Sequence, residues 1–103
     1  MEAIVSITFT KTISVQDYSG DWETSDTAFV RVDLERFIKS NFHVEPSKVS
    51  PEDALIKLIH FIGCSLDTEG VIILPVNTEL GPVTCLFCTN LIAHVKVEPA
   101  EES

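Results

Sequence analysis

No stretch of this chain approaches the run of about 20 apolar residues that crosses a bilayer as a helix, and glycine, tryptophan, tyrosine and basic side chains are all scarce. The four glycines stand singly, so no glycine-rich loop is available to cradle a phosphate. Seven Lys and Arg against sixteen Asp and Glu leave a net charge of −9. That balance repels a phosphate backbone or an anionic membrane and favours a basic protein partner. The opening MEAIVSITFT places no basic residues ahead of its apolar ones, so no signal peptide is expected and the protein is read as cytoplasmic. Three cysteines, an odd number, then read as reduced thiols rather than as a disulfide scaffold. No serine or cysteine stands in a context that suggests activation, and the three histidines are scattered. The chain is therefore expected to be no enzyme and to need no cofactor.

What is present suffices for one core. Hydrophobic residues make up 45% of 103 positions, enough for a single domain of ordinary size. The domain is expected over residues 1–97, followed by an acidic, disordered tail over 98–103.

The alternation in VSITFTKTISV predicts a strand from about Ala3 to Val15. Val5, Ile7, Phe9, Ile13 and Val15 share one face with a single lysine, Lys11, and serines and threonines fill the other. Such a strand is long for a small domain, so it must curve, bulge or overhang the core. QDYSGDWETSD, with four acids and no base, reads as a loop over residues 16–26, and TAFVRV as a strand from Thr27 to Val32. Asp33 can cap a short helix whose inner stripe is Leu34, Phe37, Ile38 and Phe42. Ser50 and Pro51 start a second helix. On it Leu55, Ile56, Leu58, Ile59, Phe61 and Ile62 cover more than half the circumference, so cover is needed on more than one side, from the first helix or from another protomer. VIILPV is a short strand, and VTCLFCTNLIAHVKV reads as one long last strand over 83–97, with a bulge at Asn90. The expected fold is α+β: a four-stranded antiparallel sheet, order β-β-α-α-β-β along the chain, with two helices on one face and the long terminal strands as neighbours.

Four groups of residues carry candidate chemistry. His60 and Cys64 lie four apart on one helical face, and with Cys85 and Cys88 they would make a zinc set. Against it, positions i and i+3 of a straight strand point to opposite faces, and buried free cysteines commonly act as small hydrophobes. The same C-x-x-C as a redox pair lacks the helix N-terminus or cation that lowers a thiol pKa. The threonine ladder suits the wet side of an ordinary sheet. The strongest candidate is the acid-aromatic segment Asp17, Tyr18, Asp21, Trp22, Glu23 and Asp26, whose large rings among carboxylates suit a protein-binding hot spot. The plain alternative is a Trp22 folded back on the core. Lys11 reads as a guard that stops an exposed strand edge from pairing with another chain.

The sequence thus points to a non-catalytic, acidic protein–protein interaction module. It is read as an inhibitor that covers a basic or nucleic-acid-binding protein such as a nuclease, in the manner of toxin-immunity or phage anti-defence proteins that imitate nucleic-acid charge. A structural subunit of a homo-oligomer, a dimer in the simplest case, is the alternative.

Overall fold

The computed structural model describes residues 1–16, 19–68 and 70–100. Five strands and two helices follow in the order β1 (Glu2–Gln16), β2 (Trp22–Asp33), α1 (Leu34–Phe42), α2 (Pro51–Leu66), β3 (Val71–Thr78), β4 (Gly81–Cys88) and β5 (Ile92–Pro99). The strands form one sheet, ordered β4-β3-β2-β1-β5, and every neighbouring pair is antiparallel. The α+β class, the two helices and the antiparallel sheet agree with the sequence reading, but the sheet has five strands rather than four. The expected last strand is two: a 3₁₀ turn over Thr89–Leu91 separates β4 from β5, and the chain changes edge there.

Both helices are capped as their sequences suggest. Asp33 accepts the backbone N–H groups of Glu35 and Arg36 at 3.1 and 3.2 Å, and Ser50 Oγ accepts that of Asp53 at 3.1 Å. Their inner stripes, Leu34, Phe37 and Ile38 on α1 and Ala54, Leu58 and Ile62 on α2, are buried in one core. Ala3, Val5, Ile7 and Phe9 of β1, Ala28 and Val32 of β2, and Ile72, Leu74 and Val76 of β3 complete it. The register puts these strand residues on one face, for example Ala3 opposite Val32 and Val32 opposite Val76. On α2 the apolar arc is wider than its cover, since Ile56 and Ile59 are 51% and 47% exposed.

A 15-residue β1 would run about 50 Å if straight, beyond the longest dimension of the molecule, 39 Å. The strand breaks register instead. Between Thr8 and Ile13 it carries four residues where β2 has only Asp26. Pairing with β5 also ends there, at Phe9 opposite Ile92, so β1 beyond Phe9 and the first part of β2 form a two-stranded ribbon. The acidic stretch expected to be a loop is therefore partly strand: Ile13, Ser14, Val15 and Gln16 pair with Ser25, Thr24, Glu23 and Trp22. An available partner strand outweighs the poor strand preference of Asp and Glu.

The sheet is also strongly coiled. From Cys88 to Ile92 the chain can span at most about 14 Å, whereas β4 and β5 would lie about 19 Å apart in a flat five-stranded sheet. The 3₁₀ turn bridges the two edges because they curl toward each other. Thr89 anchors it: its N–H donates to Gly70 C=O at 2.9 Å, and its Oγ1 accepts the Gly70 N–H at 3.0 Å. Gly70 holds φ +152°, a conformation that side-chain-bearing residues rarely adopt. At its far end β5 runs through Pro99, and Ala100 N–H donates to Glu2 C=O at 3.3 Å, so the sheet continues past Val97, where the acidic tail was expected to begin. Residues 101–103 lie outside the described residues.

Candidate functional site

The coiling brings the open ribbon against the β3–β4 hairpin. β2 meets β3 through only two residue pairs, Arg31 with Asn77 and Val32 with Val76. Below that seam the two separate, and between them lies a cavity of about 380 Å³. Phe9 and Ile13 of β1, Trp22 and Phe29 of β2, and Leu86 and Phe87 of β4 line it. Phe9 and Phe87 close its inner end, their rings tilted at 33° with centroids 6.3 Å apart. Arg31 and Asn77 supply polar lining. Glu2 holds both: its Oε1 lies 3.5 Å from Arg31 Nη1, and its Oε2 accepts Asn77 Nδ2–H at 2.9 Å.

Of the acid-aromatic residues, Asp17 and Tyr18 lie outside the described residues. Trp22 opens β2 with 70% of its surface exposed, so it is not folded into the core. Asp21 is exposed beside it and receives the Ser19 hydroxyl at 3.4 Å. Glu23 follows on the strand, and Asp26 is exposed at the register break, accepting the Thr27 hydroxyl at 3.3 Å. The ribbon and its end thus carry Asp21, Trp22, Glu23 and Asp26, and Phe29, 65% exposed, lies farther along β2 opposite Ser6, where β1 is also paired with β5. Lys11, also exposed, sits in the four-residue bulge of β1, just past the last β5 pair.

Phe29 and Leu86 were not picked out from the sequence. The signal was there for Phe29: in AFVRV it alternates with Ala28, Val30 and Val32, which the core claims, so period two sends Phe29 outward. Leu86 offered less, because its strand was read as continuous and its neighbours are equally apolar.

The cysteine set does not assemble. His60 and Cys64 are exposed on α2. Cys85 lies opposite buried Leu74 and Cys88 opposite exposed Val71, on different faces of the β3–β4 hairpin. Among the described residues no three His, Cys, Asp or Glu side chains gather as ligands for one ion. Burial pushes the Cys85 thiol above its ordinary value of 9.0, which suits a wall of the cavity better than a nucleophile. None of the helices among the described residues is long and apolar enough to cross a membrane. The chain matches no protein-family model, no curated protein and no solved structure.

Proposed function

We propose that the chain is a non-catalytic, cytoplasmic interaction module whose acid-aromatic ribbon covers the basic surface of a partner protein and inhibits it, a nuclease or other nucleic-acid-binding protein being the natural target. The observation that carries this reading is Trp22, 70% exposed at the start of a strand whose sequence also holds Glu23 and Asp26, with exposed Asp21 just before it. Exposed tryptophan supplies large contact area at small entropic cost, and such residues dominate binding energy where they become desolvated. The carboxylates steer a basic partner in and reject acidic ones. A net charge of −9 extends the same preference over the whole molecule.

The test is capture of the partner from the source cell, its identification by mass spectrometry, and calorimetric titration of the purified pair at low and high salt. The expected result is a basic protein whose affinity falls as salt rises. Trp22→Ala should weaken binding roughly 30-fold, the scale of a hot spot, and leave the melting temperature unchanged because the side chain packs on little. A partner indifferent to both salt and Trp22 refutes the reading.

One observation favours assembly as the second reading. Ile56 and Ile59 leave an apolar stripe bare on α2, and exposed Gly63, one turn beyond Ile59, continues it without a side chain. A second copy packed helix to helix would cover that stripe. Sedimentation that finds a stable oligomer, dissociated by Ile59→Glu, would decide for it.

A further inference from the structure

β2 is paired along its length on one side only. β1 follows one edge from Trp22 to Asp33, whereas on the other β3 meets it only at Arg31 and Val32. From Trp22 to Val30 this second edge has no strand neighbour among the described residues, leaving roughly 30 Å of backbone edge open. Natural sheets guard such edges with lysine, proline or a covering loop, and WETSDTAFV contains neither residue. Part of one donor is met locally, since Thr27 N–H donates to Ser25 Oγ at 3.1 Å. Beside the edge runs the apolar cavity, with the exposed Phe29 and Leu86 in its lining.

We propose that this edge accepts, as an added strand, an extended basic segment of the partner in which Lys or Arg alternates with apolar residues, a mode of capture that rests on the reading of the chain as an acidic interaction module. Strand addition takes affinity from backbone hydrogen bonds and specificity from alternate side chains. One set enters the cavity between Phe29 and Leu86, and the alternate basic set runs along the other face of β2, where period two places Asp26, within the field of a molecule of net charge −9. Charge selects this occupant over a second copy. The chain has no Lys or Arg from residue 12 to residue 30, and four acids lie in that stretch. Two such edges laid together would oppose like charges, which destabilises a cross-strand pair.

The probe is acetyl-KVKVKVK-amide, with acetyl-EVEVEVE-amide and acetyl-KVKPKVK-amide, which keeps all four lysines, as controls. Trp22, the single tryptophan, reports binding by fluorescence, and hydrogen exchange locates it. The basic peptide should bind saturably, more weakly as salt rises, and should slow exchange of amides between Trp22 and Val30 about tenfold. The acidic peptide should not bind. The proline peptide, which cannot complete the ladder, should bind about tenfold more weakly, as should the basic peptide to Phe29→Ser, a change at an exposed position that spares the fold.

Absence of saturable binding, equal binding of the proline peptide, or protection located elsewhere overturns the proposal. So does slowing of the same amides by protein concentration alone with a dimer in sedimentation, which would make a second copy the occupant. An apolar small molecule retained in native mass spectrometry, and expelled before the peptide can bind, overturns it as well. If the natural basic partner depends on Trp22 but leaves the β2 amides unprotected, strand addition fails while the interaction module stands. If no basic partner is captured, both fall.

Discussion

Phe9 and Phe87 belong to strands with two others between them, yet their ring centroids are 6.3 Å apart. In a flat sheet the separation would be about 14 Å, so the ring pair is the contact through which the coiled sheet meets itself. Phe9 is nearly fully buried and Phe87 partly so. Phe9→Ala should cost about 3 kcal/mol and Phe87→Ala about 2. The double variant should reveal a coupling of about 1 kcal/mol. Urea unfolding of the four proteins checks this, and strict additivity would mean that the closure does not depend on the rings.

Lys11 stands where β1 loses its β5 partner and swells into the bulge. Charged side chains on an open strand edge oppose pairing with another chain, and replacing Lys11 by valine removes such a charge. Lys11→Val should fold normally by circular dichroism and associate in sedimentation velocity. A variant that stays monomeric shows that the lysine guards nothing.

Thr89 fixes the crossing from β4 to β5 by bonding Gly70 through both its backbone and its hydroxyl. Thr89→Val keeps the shape and removes the hydroxyl, so the Gly70 N–H loses its partner. The expected loss is about 1 kcal/mol in chemical denaturation, with faster exchange of the Gly70 amide. Thr89→Ser should restore both, because the oxygen returns.

Cys85 lies in the cavity wall, and burial raises its thiol pKa above 9.0. The folded protein therefore holds the Cys85 proton to higher pH than the unfolded chain does. Stability from this group is complete below the ordinary thiol value and is lost as pH rises through the higher folded value. Alkylation by iodoacetamide, followed by mass spectrometry, should reach the exposed Cys64 and Cys88 first and Cys85 only at more alkaline pH. Simultaneous labelling of all three would contradict the half-buried position of Cys85.

Local chemistry was legible in the sequence and distant chemistry was not. Asp33 and Ser50-Pro51 announced both helix starts because a cap is decided within four residues. Periodicity marked the core stripe of α1 at Leu34, Phe37 and Ile38 and that of β1 up to Phe9, whereas Phe42, expected on the same stripe, is 37% exposed at the helix end. The break at Thr89–Leu91 could not be read so, because it depends on hydrogen bonds to Gly70, 19 residues earlier, and neither glycine nor proline marks it. Glu23 looked like a loop residue and became strand because β1 overhangs the core and Val15 pairs with it, while Asp26 falls in the strand at the register break. Trp22 was visible as a candidate from composition, but the cavity beside it was not. Its walls come from β1, β2, β3 and β4 and meet only because the sheet coils.

The two residue pairs that join β2 to β3 bear on how the molecule comes apart. So short a seam lets β1, β2 and β5 behave as one cooperative unit and the β3–β4 hairpin as another, tied together mainly by the apolar side chains of α1 and α2 packed across both. Sub-global opening then runs along the seam without breaking either long ladder. Loosening the helical layer at Phe37 or Leu58 is expected to widen the space that Trp22 and Leu86 line, and faster exchange of the Arg31 and Val32 amides than of either long ladder would report it.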